Sequence, residues 1–290
     1  MAARLRGLPL ALATAGAYLH TSNFTFERYL QKYEERWNID PRRLLQLQEY
    51  QDRTLYTTWD LSYTRLESED PDAAKLLKLL AYFDNQSIWY ELLHAGAADD
   101  SPEWLQEVIA DDVNFAGVMR TLTDYCFIEV QKSTKSWSMH NCVHDWTLAA
   151  LNKCIDAQQY WYAFDCIASS INKDDWDSLG HLSYAHLAAH ATRLVQDRFR
   201  RNDLLDDIIP DRLDGASYIA QLLARQIQLT AAEQMYLRAL AGYEKVLGPD
   251  HTLTLSVVNN LGLLYRAQGK LAEAEQMYQR VLMGFRKRLG

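Results

Sequence analysis

The sequence predicts a mainly all-α chain that carries one small β-hairpin and ends in an α-solenoid, and three observations support that expectation. Helical apolar spacing recurs from end to end, strand-like alternation occurs once, and the carboxy-terminal stretch repeats itself. The repeat is the most specific of the three. Glu233-Gln234-Met235-Tyr236, Arg238, Leu240, Gly242, Lys245 and Leu247-Gly248 return 42 residues later as Glu275-Gln276-Met277-Tyr278, Arg280, Leu282, Gly284, Lys287 and Leu289-Gly290. Units of such a period stack because none can bury its apolar face alone, so a binding surface is the first functional expectation. The second copy stops at Gly290 where the first continues into Pro249-Asp250-His251, so the chain is expected to be a fragment or a shortened product.

Taken in order, Arg4 and Arg6 precede an apolar stretch from Leu8 to Leu19, which resembles a secretion signal. Pro9 at its start and Thr14, Gly16 and Tyr18 within it weaken that reading, and it is too short to span a bilayer. Phe24 to Leu30 and Asp40 to Leu47 have helical spacing, with Asp40-Pro41 as an N-cap followed by proline at the first helical position. Further helices are expected from Leu55 to Leu66, from Asp70 to Tyr82 opened by Asp70-Pro71, from Trp89 to Ala95, from Ser101 to Ile109 and from Val113 to Leu122. Cys126, Ile128 and Val130 then alternate with Phe127 and Glu129, a turn covers Lys132 to Ser136, and Trp137-Ser138-Met139 returns. Helices closed by one hairpin make a winged-helix pattern. The helix before the hairpin has Asp111 and Asp112 against one Arg120, a face that repels DNA.

Composition agrees with that exclusion. The 290 residues hold 30 basic and 38 acidic side chains, a formal charge of -8, which disfavours nucleic acid as a partner. The length allows about two domains, each with its own core. Cys126, Cys142, Cys154 and Cys166 form no CxxC pair and are read as free, mostly buried thiols of a reducing, cytoplasmic setting.

Trp137 to Trp146, with Met139-His140-Asn141 inside it, resembles the Met-His-Asp segment that ends the winged helix of NB-ARC nucleotide-switch proteins. The fungal NOD-like receptors with tetratricopeptide arrays are the nearest in kind. Gly7-Leu8-Pro9-Leu10 resembles the Gly-Leu-Pro-Leu motif of that family, and Thr58-Trp59-Asp60-Leu61-Ser62-Tyr63 the start of its winged helix. The resemblance implies an order: residues 1–50 as the end of an NB-ARC helical subdomain, 51–157 as the winged helix, 158–212 as a helical connector and 213–290 as tetratricopeptide repeats. It also implies a switch in which bound ADP locks a closed form, with His140 reaching the β-phosphate, the Pro9 segment lying against adenine, and oligomers in the full-length protein.

Two departures qualify those implications. Asn141 replaces the aspartate of the motif and cannot supply its carboxylate charge. No G-x-x-x-x-G-K-[ST] string occurs, so the backbone cradle and lysine for phosphates are missing, and the chain alone is expected neither to hold a nucleotide cofactor nor to hydrolyse ATP. His140 then reads equally as a histidine satisfied locally at a helix start.

Other constellations are weaker. His140 and His144 at i, i+4 beside Cys142 and Asp145 offer a zinc spacing, and His186 to His190 copies a zincin spacing with Leu187 where the glutamate base belongs. His181 lies off that face, Cys142 reads as a small core residue, and no catalytic or metal site is assigned.

The last repeat can be read residue by residue. Val258, Leu261, Gly262 and Tyr265 form one helical stripe, and Leu271 opens a second helix whose Ala274, Tyr278, Val281, Leu282 and Phe285 form its partner. Gly262 and Ala274 are the small residues at the helix crossing, and the 42-residue period resembles kinesin-light-chain repeats. Gly248-Pro249-Asp250 caps one helix and starts the next. Ala220 and Leu223 stand at the Gly262 and Tyr265 positions of a degenerate first unit. Asn259, Asn260 and Arg266 remain on a polar face, where resembling proteins hold a protein or peptide ligand with amides and a guanidinium. A stand-alone adaptor without a nucleotide link is the alternative.

Overall fold

In a computed structural model of the protein, the described residues are 8–22, 24–39, 50–98, 101–171, 181–195 and 208–289. They form two compact units. One takes the described parts of Met1–Ala81, Asn85–Tyr90 and Asp99–Cys154, and the other those of Tyr82–Asp84, Glu91–Ala98 and Ile155–Gly290. The chain is mainly helical, with one two-stranded sheet among the described residues and an array of paired helices at its carboxy-terminal end. No described helix is long and apolar enough to cross a membrane.

In the first unit α1 (Pro9–Thr21) and α2 (Phe26–Ile39) pack on α3 (Tyr50–Glu69). Ala11 and Ala15 leave room beside α1 for the rings of Tyr18, Tyr29 and Tyr33, which close this small core with Leu61. Arg65 on α3 donates from Nη1 to the Tyr18 carbonyl at 3.2 Å and from Nη2 to that of Thr21, satisfying carbonyls that the end of α1 leaves free. The expected helix from Asp40 to Leu47 lies outside the described residues.

The chain continues through α4 (Pro71–Leu80), α5 (Tyr90–His94), α6 (Glu103–Val108) and α7 (Asp112–Asp124). Asp70 accepts from the Ala73 N–H at 3.0 Å ahead of Pro71, the N-cap expected from this pair of residues. Asp111 does the same for Asn114 at 2.7 Å, so the first of the two acidic residues before the hairpin is engaged in capping.

The hairpin is shorter than expected. Strand β1 (Glu129–Gln131) pairs antiparallel with β2 (Ser136–Ser138), placing Val130 opposite Trp137. Cys126 does not start the strand, because it adopts φ 58° and ends α7. The N–H of Phe127 bonds the Leu122 carbonyl at 3.0 Å across it, so a helix-closing turn replaces the alternation. Phe127 and Ile128 are both buried in consequence, Val130 is exposed, and Ser136 belongs to β2 rather than to the turn. Phe127 stacks on Trp146 of α8 (Asn141–Trp146) with ring centres 5.8 Å apart, and Trp59 and Tyr63 of α3 meet the same indole.

The second unit holds α9 (Ala157–Ser169) and α10 (His181–Leu194), then a 3₁₀ turn (Pro210–Arg212) leading into α11 (Leu213–Arg225), α12 (Leu229–Leu247), α13 (Thr252–Ala267) and α14 (Leu271–Leu289). Asp156 caps α9 by accepting from Gln158 and Gln159. Arg212 grips Asp165 with two parallel bonds of 2.8 and 2.7 Å, fixing the head of the array to α9.

Candidate functional site

Successive helices from α11 to α14 pack on one another, and the repeat seen in the sequence reappears as repeated contacts. Gly242 lies against Leu213, and Gly284, 42 residues on, lies against Leu255, which is itself 42 residues after Leu213. A Cβ on Gly284 would come within 2.7 Å of the Leu255 methyls, so the glycines let α12 and α14 approach their partners closely. Gly262 faces the Tyr278 ring, where a Cβ would meet Cε1 at 2.7 Å. The small residue of α13 therefore receives a ring of α14.

Successive repeats of the array are tied to each other by charge. Glu233 of α12 accepts from Gln268 Nε2 at 2.8 Å and Lys270 Nζ at 3.0 Å, and Glu244 of α12 pairs with Arg280 of α14. Burial pushes the Glu233 carboxyl up, but the bonds from Gln268 and Lys270 outweigh it and hold the group below its ordinary value.

The stripe expected on α13 is buried at Val258, Leu261 and Gly262 and half-buried at Tyr265. On α14, Ala274 is buried and Tyr278 and Val281 are half-buried, but Leu271, Leu282 and Phe285 are exposed, contrary to expectation. Among the described residues these three side chains stay largely open to solvent.

Asn259 and Asn260 are half-buried on α13 and Arg266 is exposed. Nothing among the described residues pairs with these three side chains. Leu263, exposed on the same helix, adds an apolar contact that sequence reasoning missed. Its four-residue spacing from Asn259 was the available signal. Two amides, a guanidinium and an aliphatic side chain can bind a peptide backbone, a carboxylate and an apolar side chain.

The second candidate region lies beside the hairpin. Gln86, Glu129, Gln131, Ser138, Met139, His140 and Asn141 line an open depression of ≈ 290 Å³. Asn85 holds its rim: its Nδ2 donates to the Met139 carbonyl at 2.8 Å and to Asn141 Oδ1 at 2.6 Å, and its carbonyl accepts from the Met139 N–H at 2.7 Å. Asn141 thus has an amide partner where a carboxylate would sit in the resembling motif. His140 is the N-cap of α8, with Nδ1 accepting from the Cys142 N–H at 3.3 Å. That bond assigns the proton of the neutral ring to Nε2. Pro9 begins α1, is exposed, and does not line the depression.

The remaining histidines and cysteines do not gather. His144 is buried whereas His140 is exposed, so the pair does not present one face for zinc. Buried His190 accepts from the Asp84 N–H at 3.0 Å, while His186 is half-buried. No group of three metal-ligating side chains occurs among the described residues. Cys142 and Cys154 are exposed, which corrects the expectation that most thiols are buried and that Cys142 fills the core. Cys142 sits on the solvent side of α8, whose inward positions are Val143, His144 and Trp146. Cys166 is buried, and burial pushes its thiol up.

No curated protein matches the chain. Residues 64–154 match a family described as a domain of unknown function (DUF7779), a span that contains the hairpin and the depression. Residues 212–287, from the last residue of the 3₁₀ turn into α14, match the tetratricopeptide repeat family, so the array is similar to modules whose role is protein interaction.

Proposed function

We propose that the chain is a regulatory scaffold that recognises a protein or peptide segment on the α13 face of its repeat array, as the sensing part of a nucleotide-switch protein of the NOD-like receptor type. The observation that carries this reading is the set formed by Asn259, Asn260 and Arg266, polar side chains on a packed helix with no partner among the described residues. The tetratricopeptide match over 212–287 supports it. The switch half rests on the resemblance of Gly7 to Leu12 and of Met139 to Asn141, and on exposed His140, whose Nε2–H suits a phosphate oxygen. Glu129 on the same depression opposes an anion, so a nucleotide would need further donors from sequence carrying a phosphate-binding loop. The chain acts by binding rather than catalysis, and its free thiols fit a cytoplasmic setting.

The test is a selection of displayed peptides on the full chain, followed by titration with Arg266→Glu and Asn259→Ala. Peptides that bind through the α13 face lose about tenfold or more in affinity with Arg266→Glu, the scale of one charged hydrogen bond. Peptides that bind both variants as tightly as the parent chain would remove the α13 face from the account.

A further inference from the structure

The depression beside the hairpin holds a charge that nothing in the chain answers. Glu129 is exposed on β1, lines the depression, and has no partner among the described residues. Among the described residues that line it, Glu129 is the one carboxylate, and there is no lysine or arginine. Strand β2 runs between two neighbours here. On one side Glu129 stands opposite Ser138 in the register of the hairpin. On the other, Ile88 and Trp137 exchange both backbone bonds, at 2.8 and 2.7 Å, and the Met139 N–H reaches the Asn85 carbonyl at 2.7 Å. Between those two ties Gln86 and Ser87 face Ser138 alone, which is a β-bulge, and Ser87 takes φ 53° in the left-handed region. Ser138, only 5% exposed, therefore lies between Glu129 and Gln86, which stand two strand spacings or about 10 Å apart, the width of one planar side-chain head with its hydrogen bonds.

The hydrogen bonds around Glu129 select the occupant. Gln131 donates from Nε2 to Ser138 Oγ at 2.9 Å, which leaves its Oε1 without a partner among the described residues. Gln131 follows Glu129 by two residues and so shares its face of β1. Three acceptor oxygens, two of them on a carboxylate, thus stand together. A guanidinium matches that set: its planar fork gives two parallel N–H bonds to the carboxylate and a further N–H to the amide oxygen, whereas an ammonium offers a point charge. His140, exposed on the same depression with its Nδ1 already engaged, keeps Nε2–H for the backbone carbonyl next to such a side chain. A metal ion is a poorer match, because no group of three metal-ligating side chains occurs among the described residues.

We infer that the depression is a second binding site, distinct from the α13 face, for an arginine side chain of a partner peptide, with Glu129 as the charged anchor and Gln131 as the further acceptor. Nitrogen-15 NMR titration of the full chain with N-acetyl-L-arginine amide tests it, carried to about 50 mM because a single side-chain head of this kind binds in the millimolar range. The expected result is a set of saturable shifts at Gln86 and from Glu129 to Asn141. Glu129→Gln should weaken binding about tenfold or more, the scale of charged hydrogen bonds, while leaving the rest of the spectrum unchanged, since this side chain bonds to nothing within the chain. N-acetyl-L-lysine amide, which carries the charge without the fork, should bind more weakly than the arginine compound. Absence of saturable shifts, equal binding by the parent chain and Glu129→Gln, or lysine binding as tight as arginine would each overturn the assignment. Shifts produced by inorganic phosphate and not by the arginine compound would overturn it as well and return the depression to anions.

Discussion

At the scale of single residues, the two repeats test each other. Gly269 ends the turn after α13 at φ 77°, and Ile227, its counterpart after α11, adopts φ 61° although its side chain is 80% exposed. A β-branched residue in the left-handed region is strained, and nothing in its packing offsets the strain. Ile227→Gly is therefore expected to raise stability by about 1 kcal/mol, read from chemical denaturation, while Gly269→Ile should lower it by a similar or larger amount. Gly96 behaves differently. A Cβ there would lie 2.9 Å from the backbone nitrogen of Cys166, which cannot rotate away, so Gly96→Ala should cost about 2 kcal/mol.

Two glutamates set the acid response at the same scale. Burial pushes the Glu69 carboxyl up, but bonds from Tyr125 and Arg65 outweigh it, and Glu233 is likewise held low by Gln268 and Lys270. A depressed folded value means that the stabilisation is complete above the ordinary glutamate value of about 4.3 and is lost as pH falls through the lower folded value. Stability should thus decline below about pH 4, and Glu69→Gln with Glu233→Gln should flatten that decline in thermal melts.

At the scale of elements, what the sequence shows depends on the range of the interaction involved. The Asp70-Pro71 start of α4 and the Gly248 stop of α12 follow from residues within one turn, and both are found, with Gly248 at φ 87°. Nothing lies within 4 Å of a Cβ on Gly248, so Gly248→Ala tests backbone freedom alone and should cost about 1 kcal/mol. The hairpin was legible as a hairpin but not in its limits, because the left-handed Cys126 that closes α7 has the same alternating neighbours as a strand. Burial along α14 was not legible at all. Leu282 and Leu240 are identical within the repeat, yet one is 60% exposed and the other 8%, so only their surroundings in the fold make them differ. Leu240→Ala should cost about 2 to 4 kcal/mol, whereas Leu282→Ala in dilute protein should change stability by less than about 0.5 kcal/mol.

At the scale of the whole molecule, the order of parts was legible: helices, one hairpin, more helices, then a repeating array. The contacts that shape each unit were not. Asp84 with His190 and Asn85 with Asn141 join residues far apart in sequence, and no local pattern marks such partners. The face of Asn259, Asn260 and Arg266 was legible because the repeat fixes which positions are apolar and so leaves the others outside. Leu263 escaped because an exposed leucine looks like a core residue until the helix is placed.

The central claim is that recognition takes place on α13. Hydrogen exchange of the full chain with a selected peptide bound, measured against the free chain, addresses it most directly. The account predicts added protection centred on Asn259 to Arg266, with the hairpin and residues 85–88 unchanged. Protection confined to the depression around His140, with α13 exchanging as in the free chain, would contradict it.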